Sequence, residues 1–79
     1  MDYDTDKVDS ATLALMDLVV CEREEGYGGR AWKGFDWETL DRLHEKGYLG
    51  NPKGKAKSVV MTEEGHQKSE ELLQELFGN

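Results

Sequence analysis

Residues 5 to 22, TDKVDSATLALMDLVVCE, are apolar around more of a helical circumference than a small core can cover, and this limits what the chain can become. On a 3.6-residue wheel Val8, Ala11, Leu15, Met16, Leu18 and Val19 form one stripe, and Leu13 and Val20 widen it. Asp6, Asp9, Ser10 and Asp17 leave only a narrow polar edge, so the segment is expected to be buried on two sides. A chain of 79 residues buries a modest share of its surface when folded. Its lone Cys21 allows no internal disulfide, and zinc-type pairs of Cys or His are missing, so self-association is the remaining way to add to the core.

The rest of the chain reads as a helix, a hairpin and a helix after a glycine-rich break. Residues 23 to 35, REEGYGGRAWKGF, have no periodicity and read as a loop with at most one short strand around Arg30 to Lys33, anchored by Trp32 and Phe35. Asp36 caps a second helix with Glu38 in its first turn and Gly47 at its left-handed end; Trp37, Leu40, Leu43 and His44 share its inner face. Tyr48 and Leu49 open an extended arm, Gly50, Asn51, Pro52 and Gly54 supply turn chemistry, and Ser58 to Met61 is a β-branched return arm. Thr62 then caps a third helix, with Glu63 and Glu64 in its first turn and Leu72, Leu73, Leu76 and Phe77 along one side. His66 and Ser69 fall in the same stripe. The expectation is one α+β domain over residues 1–79, with three helices and a two-stranded hairpin.

That order resembles a winged-helix domain, most closely from residue 40 onward, where LDRLHEKGYL, a turn and SVVMTEEG are similar to the recognition helix, wing and final-helix start of bacterial winged-helix regulators. A nearer resemblance spans almost the whole chain. The run RAWKGFDWETLDRLHEKGYLGNPKGKAKSVVMTEEG, with the opening MDYDTDKVDSATLALM, is similar to an uncharacterised family of small bacterial proteins. Trp32, Gly34, Phe35, Asp36, Trp37, His44, Gly47 and KAKSVV carry that resemblance, which implies the fold and brings no activity with it.

Charge is distributed unevenly under a net −7. Residues 1–29 hold eight acids and two bases, 30–57 four acids and seven bases, and 58–79 five acids and one base, giving −6, +3 and −4. The middle third is therefore where any anionic partner would go. Lys53, Lys55 and Lys57 alternate, so in an extended arm they would form a ridge that lies along phosphates, extended by Arg30 and Lys33; the same lysines would equally shield a hairpin edge from pairing. The outward face of the second helix, Glu38, Asp41, Arg42, Glu45 and Lys46, carries three carboxylates and argues against major-groove reading.

Other chemistry is thin. GYGGRA, residues 26 to 31, matches a dinucleotide fingerprint by letter but follows a helix in a chain too short for a βαβ unit, and reads as a turn. Cys21, His44 and His66 lie on or beside apolar stripes and read as partly buried structural residues, His44 through a hydrogen bond. No metal or cofactor is expected. The N-terminus lacks the basic-then-apolar pattern of a signal peptide, and no apolar run is long enough to span a membrane, which predicts a cytoplasmic protein. The functional expectation is a non-enzymatic module that self-associates through its first and last helices and meets a protein partner through Trp32, Phe35, Trp37 and Tyr48, two or three of these aromatics being core. The alternative is a DNA-binding protein using Arg30, Lys33, Lys53, Lys55 and Lys57.

Overall fold

A computed structural model of the chain describes residues 2–22, 29–54 and 56–78, with the side chains of residues 21 and 22 outside the description. It is α+β, with three α-helices and an antiparallel hairpin following the second helix in winged-helix-like fashion. The first helix, α1 (Thr5–Met16), starts at Asp4, whose carboxylate accepts the N–H of Asp6 and Lys7. One 3-10 turn (Asp17–Val19) leads to a short strand, β1 (Val20–Glu22). The helix expected to run to Glu22 thus stops six residues earlier. The physical reason is the Val19-Val20 pair, whose branched side chains favour extended backbone and find strand partners across the sheet.

Strand β2 (Gly29–Trp32) pairs antiparallel with β1 and, on its other edge, with β3 (Ser58–Met61). Alternation along β2 and β3 turns Ala31, Val59 and Met61 inward, with Ala31 opposite Val59. The far edge of β3 meets the expected first arm: the Gly50 N–H donates to Val60 O at 2.8 Å, the Thr62 N–H donates to Tyr48 O at 3.0 Å, and Leu49 bridges Met61. The hairpin is present; β2 lies where one short strand was expected around Arg30 to Lys33, and β1, which was not expected, joins it to extend the hairpin into a sheet.

Helix α2 (Trp37–Glu45) begins under the Asp36 carboxylate, which accepts the Thr39 N–H, and ends as expected at Gly47 with φ +86°. The Gly47 N–H donates to His44 O and the Tyr48 N–H to Leu43 O, the pairing that closes a helix through a left-handed residue. Helix α3 (Glu63–Phe77) is capped by Thr62, whose hydroxyl accepts the Gly65 N–H and also lies within bonding distance of Gly47 O and Tyr48 O. Gly65 is obligatory here, because a Cβ would overlap the Tyr48 carbonyl. The core gathers Leu13, Ala14 and Met16 with Ala31, Leu40, Leu43, Leu49, Val59, Met61 and Leu72; Phe35, Tyr48 and Leu73 pack on it half-buried.

Two faces differ from expectation. In α1 the inward residues are Asp9, Leu13, Ala14 and Met16, while Leu15, and Leu18 in the turn that follows, both of the expected stripe, are exposed. In α2 only Leu40 and Leu43 of the expected inner set are buried; Trp37 and His44 face water.

Candidate interaction surface

The root of the wing is built by two cations that bond to backbone. The Arg30 guanidinium donates to Ser58 Oγ at 2.8 Å and to Ser58 O at 3.0 Å, joining β2 to β3. The Lys33 ammonium donates to Pro52 O at 2.8 Å and Gly54 O at 3.0 Å, which holds the turn against the end of β2, and it lies 5.6 Å from the centre of the Trp37 ring. Both residues are thus structural clamps of the loop that carries Lys53 and Lys57. Those two lysines are exposed; Lys55, the middle residue of the expected ridge, lies outside the described residues. Residues 26 to 28 of the glycine-rich GYGGRA also lie outside them.

Across this root stand Trp32, 48% exposed, and Trp37, 55% exposed. With Lys33, Gly34, Gly54, Ala56 and Lys57 they line an open cleft of about 280 Å³. Trp32 points outward because its neighbour Ala31 takes the inward position of β2, and Trp37 because it opens α2 beyond the last core turn. Phe35 and Tyr48 pack against the core instead. The four aromatics therefore divide into two core residues and two surface residues.

Sequence reasoning missed the main polar feature. Asp9, 1% exposed, accepts the Arg42 Nε–H at 2.8 and 3.0 Å, pairs with Arg42 Nη2 at 2.8 Å and takes a bond from Lys46 Nζ at 2.8 Å. Arg42 also donates to the Thr39 hydroxyl, which donates to Asp36. The Asp9 hydrogen bond, with smaller help from its charge, raises both Arg42 and Lys46 above their ordinary values against the opposing cost of burial. The expected outward positions of Arg42 and Lys46 are thereby corrected: both turn to α1, and the outer charge of α2 is left to Glu38, Asp41 and Glu45.

The histidines separate. His44 Nδ1 is 2.9 Å from Leu49 O, the structural bond expected of it. His66 lies elsewhere, with Nε2 2.9 Å from Glu70 Oε1 and Nδ1 3.7 Å from Asp17 Oδ1; that Nδ1 is buried without a hydrogen-bond partner. Asp17, His66 and Glu70 have the composition of an ion site, within 4.8 Å of one another. The Ser69 hydroxyl donates to His66 O rather than engaging the ring.

A second surface runs between α1 and α3. Lys7, Ser10 and Ala11 face Leu72, Leu76 and Phe77 across a groove of about 560 Å³, with Asp6 and Glu75 on its rim. Leu76 and Phe77 remain 47% and 53% exposed. No helix among the described residues is long and apolar enough to cross a membrane.

Comparison with known proteins places these features in a family. The model described as Domain of unknown function (DUF6429) matches residues 4–79. The Uncharacterized protein y4hR of Sinorhizobium fredii is 49% identical over 77 residues, covering 98% of this chain and 97% of that protein. No solved structure matches.

Proposed function

Since the chain belongs to the DUF6429 family, whose members bring no known activity, we propose from its geometry that it is a non-enzymatic, self-associating cytoplasmic module that presents its wing root to a protein partner. The observation that carries this reading is the pair of exposed indoles, Trp32 and Trp37, on either side of one cleft. Tryptophan is the side chain most enriched among residues that dominate binding energy, and large exposed apolar groups that converge mark interaction sites. Lys33 holds Trp37 and the loop carbonyls together, so the cleft walls are ordered before a partner arrives, which lowers the entropy cost of binding. Lys33 and Lys57 line it, give it a positive sign and favour an acidic partner segment.

The DNA reading has less support. Arg30 and Lys33 are committed to backbone carbonyls and a serine, and the exposed charges of α2 are acidic. A photo-crosslinking residue at Gly54 tests the proposal when the captured protein is purified and its binding measured directly. Binding should weaken at least about tenfold in Trp32→Ala and Trp37→Ala, as for residues at the centre of an interface. Undiminished binding in the double variant would overturn the aromatic reading. Salt-sensitive binding of a random DNA duplex, lost on neutralising Lys53, Lys55 and Lys57, would favour the alternative.

A further inference from the structure

The self-association in the preceding proposal leaves open which surface pairs and in what register. The groove between α1 and α3 answers both. Lys7 shares one end of it with Glu75, Leu76 and Phe77, while beyond the other end of α1 Asp17 Oδ1 lies 3.2 Å from Ser69 Oγ, so α1 and α3 run antiparallel. The floor is small on the α1 side, Ser10 and Ala11, and carries projecting side chains, Leu76 and Phe77, on the α3 side. The α1 wall ends in Lys7 beside Asp6, whose carboxylate lies 3.3 Å from Lys46 Nζ, and the α3 wall ends in the anion Glu75.

We propose that a second copy of this chain covers the groove about a two-fold axis lying along it, forming a four-helix bundle. Rotation by half a turn about that axis sets α1 of one protomer over α3 of its partner at the same level along the groove. Lys7 then meets Glu75 of the partner subunit, and the pair recurs by symmetry, as an isologous interface requires. Leu76 and Phe77 enter the space above the partner's small floor, which is how projecting and small residues interdigitate in packed helices. Each helix is then antiparallel to both neighbours, the arrangement of up-and-down bundles. The register follows from the Lys7–Glu75 pairing, which this axis makes twice while Asp6 stays beside its own Lys46, whereas an axis across the groove sets α1 on α1 and α3 on α3 and makes no such pair. Leu15 on α1 and Leu18 in the 3-10 turn that follows, both exposed, continue from Ala11 and extend the face. Trp32 and Trp37 stay outside it.

Sedimentation equilibrium of the full chain over micromolar to millimolar concentrations tests this. The expected species has twice the 9.0 kDa chain mass. Leu76→Asp, at an exposed position that the fold does not need, should weaken the dimer at least about 100-fold, as burying an unpaired carboxylate requires. Lys7→Glu and Glu75→Lys should each weaken it about tenfold through two lost pairs and two like-charge contacts, and the two together should restore it. Circular dichroism checks that each variant folds. A 9.0 kDa species at every concentration, or a double charge reversal no better than either single one, would overturn the proposal. Partner binding through Trp32 and Trp37 is measured separately, so a monomer that still binds defeats this interface alone, and a dimer that binds nothing defeats the partner reading alone.

Discussion

Asp9→Asn keeps the size of a buried side chain and removes its charge, so it isolates the polar joint between α1 and α2. In the native protein the carboxylate meets both cations with four contacts of 2.8 to 3.0 Å. An amide offers one acceptor oxygen and turns an NH2 toward one of the cations. Each charge-assisted bond is worth about 1.5–3 kcal/mol, and removing one partner of a fully buried pair costs about 3–5 kcal/mol. Here the Arg42 and Lys46 side chains retain 26% and 39% exposure, so water recovers part of the loss. The expected destabilisation is about 2–3 kcal/mol. At about 4–8 °C per kcal/mol for a domain of this size, Tm should fall by roughly 10–20 °C. Urea and thermal unfolding followed by circular dichroism measure it. Arg42→Met should cost clearly less when combined with Asp9→Asn than in the native chain, since its partner is already gone. A variant within about 0.5 kcal/mol of the native protein would refute the joint, because an ordinary surface change has that size.

Alkaline pH should act through the same residues. Lys46 is raised by its bond to Asp9, so its contribution is fully present below its unfolded value near about 10.4 and is lost as pH climbs through the higher folded value. Native stability should therefore fall above roughly pH 10, more steeply than that of Asp9→Asn, by pH-dependent urea unfolding. Gly65→Ala should destabilise by about 3 kcal/mol or prevent folding, since the clash is with backbone rather than a mobile side chain, and soluble yield with unfolding midpoint reads this out. Thr62→Ala should cost about 1 kcal/mol as a lost helix cap, measured the same way. Trp32→Ala and Trp37→Ala should each leave stability within about 1 kcal/mol, because neither ring is core.

What could be read from the sequence was local. Gly47 and Thr62 marked helix ends because left-handed backbone and N-caps select particular residues, and the hairpin turn was visible in Gly50, Asn51, Pro52 and Gly54. A short strand at β2 was legible around Arg30 to Lys33, but β1 was hidden because it is three residues long and continues the apolar stripe of the first helix. Asp9 looked like the polar edge of a helix; its burial depends on cations 33 and 37 residues away, which no local window contains. For the same reason Arg42 and Lys46 looked solvated. The aromatic set was found by residue type alone, and its division into Phe35 and Tyr48 inside, Trp32 and Trp37 outside, follows from which strand and helix positions face the core. His66 was noticed only as a stripe residue, since Asp17 reaches it through the fold.

The central claim is that this small protein holds two indoles out of its core at the root of a fixed loop. Trp32 and Trp37 are the chain's two tryptophans, so fluorescence excited at the red edge of the indole band, where the three tyrosines do not absorb, reports on nothing else. The measurement is acrylamide quenching of the emission, made on the native protein and on Leu76→Asp. The account predicts a water-exposed emission, quenched to roughly half or more of the extent of a free tryptophan derivative and equal in both proteins, because neither ring lies in the helical groove. A blue-shifted emission shielded from acrylamide would contradict it, placing the indoles in a core and leaving the wing root without a binding surface.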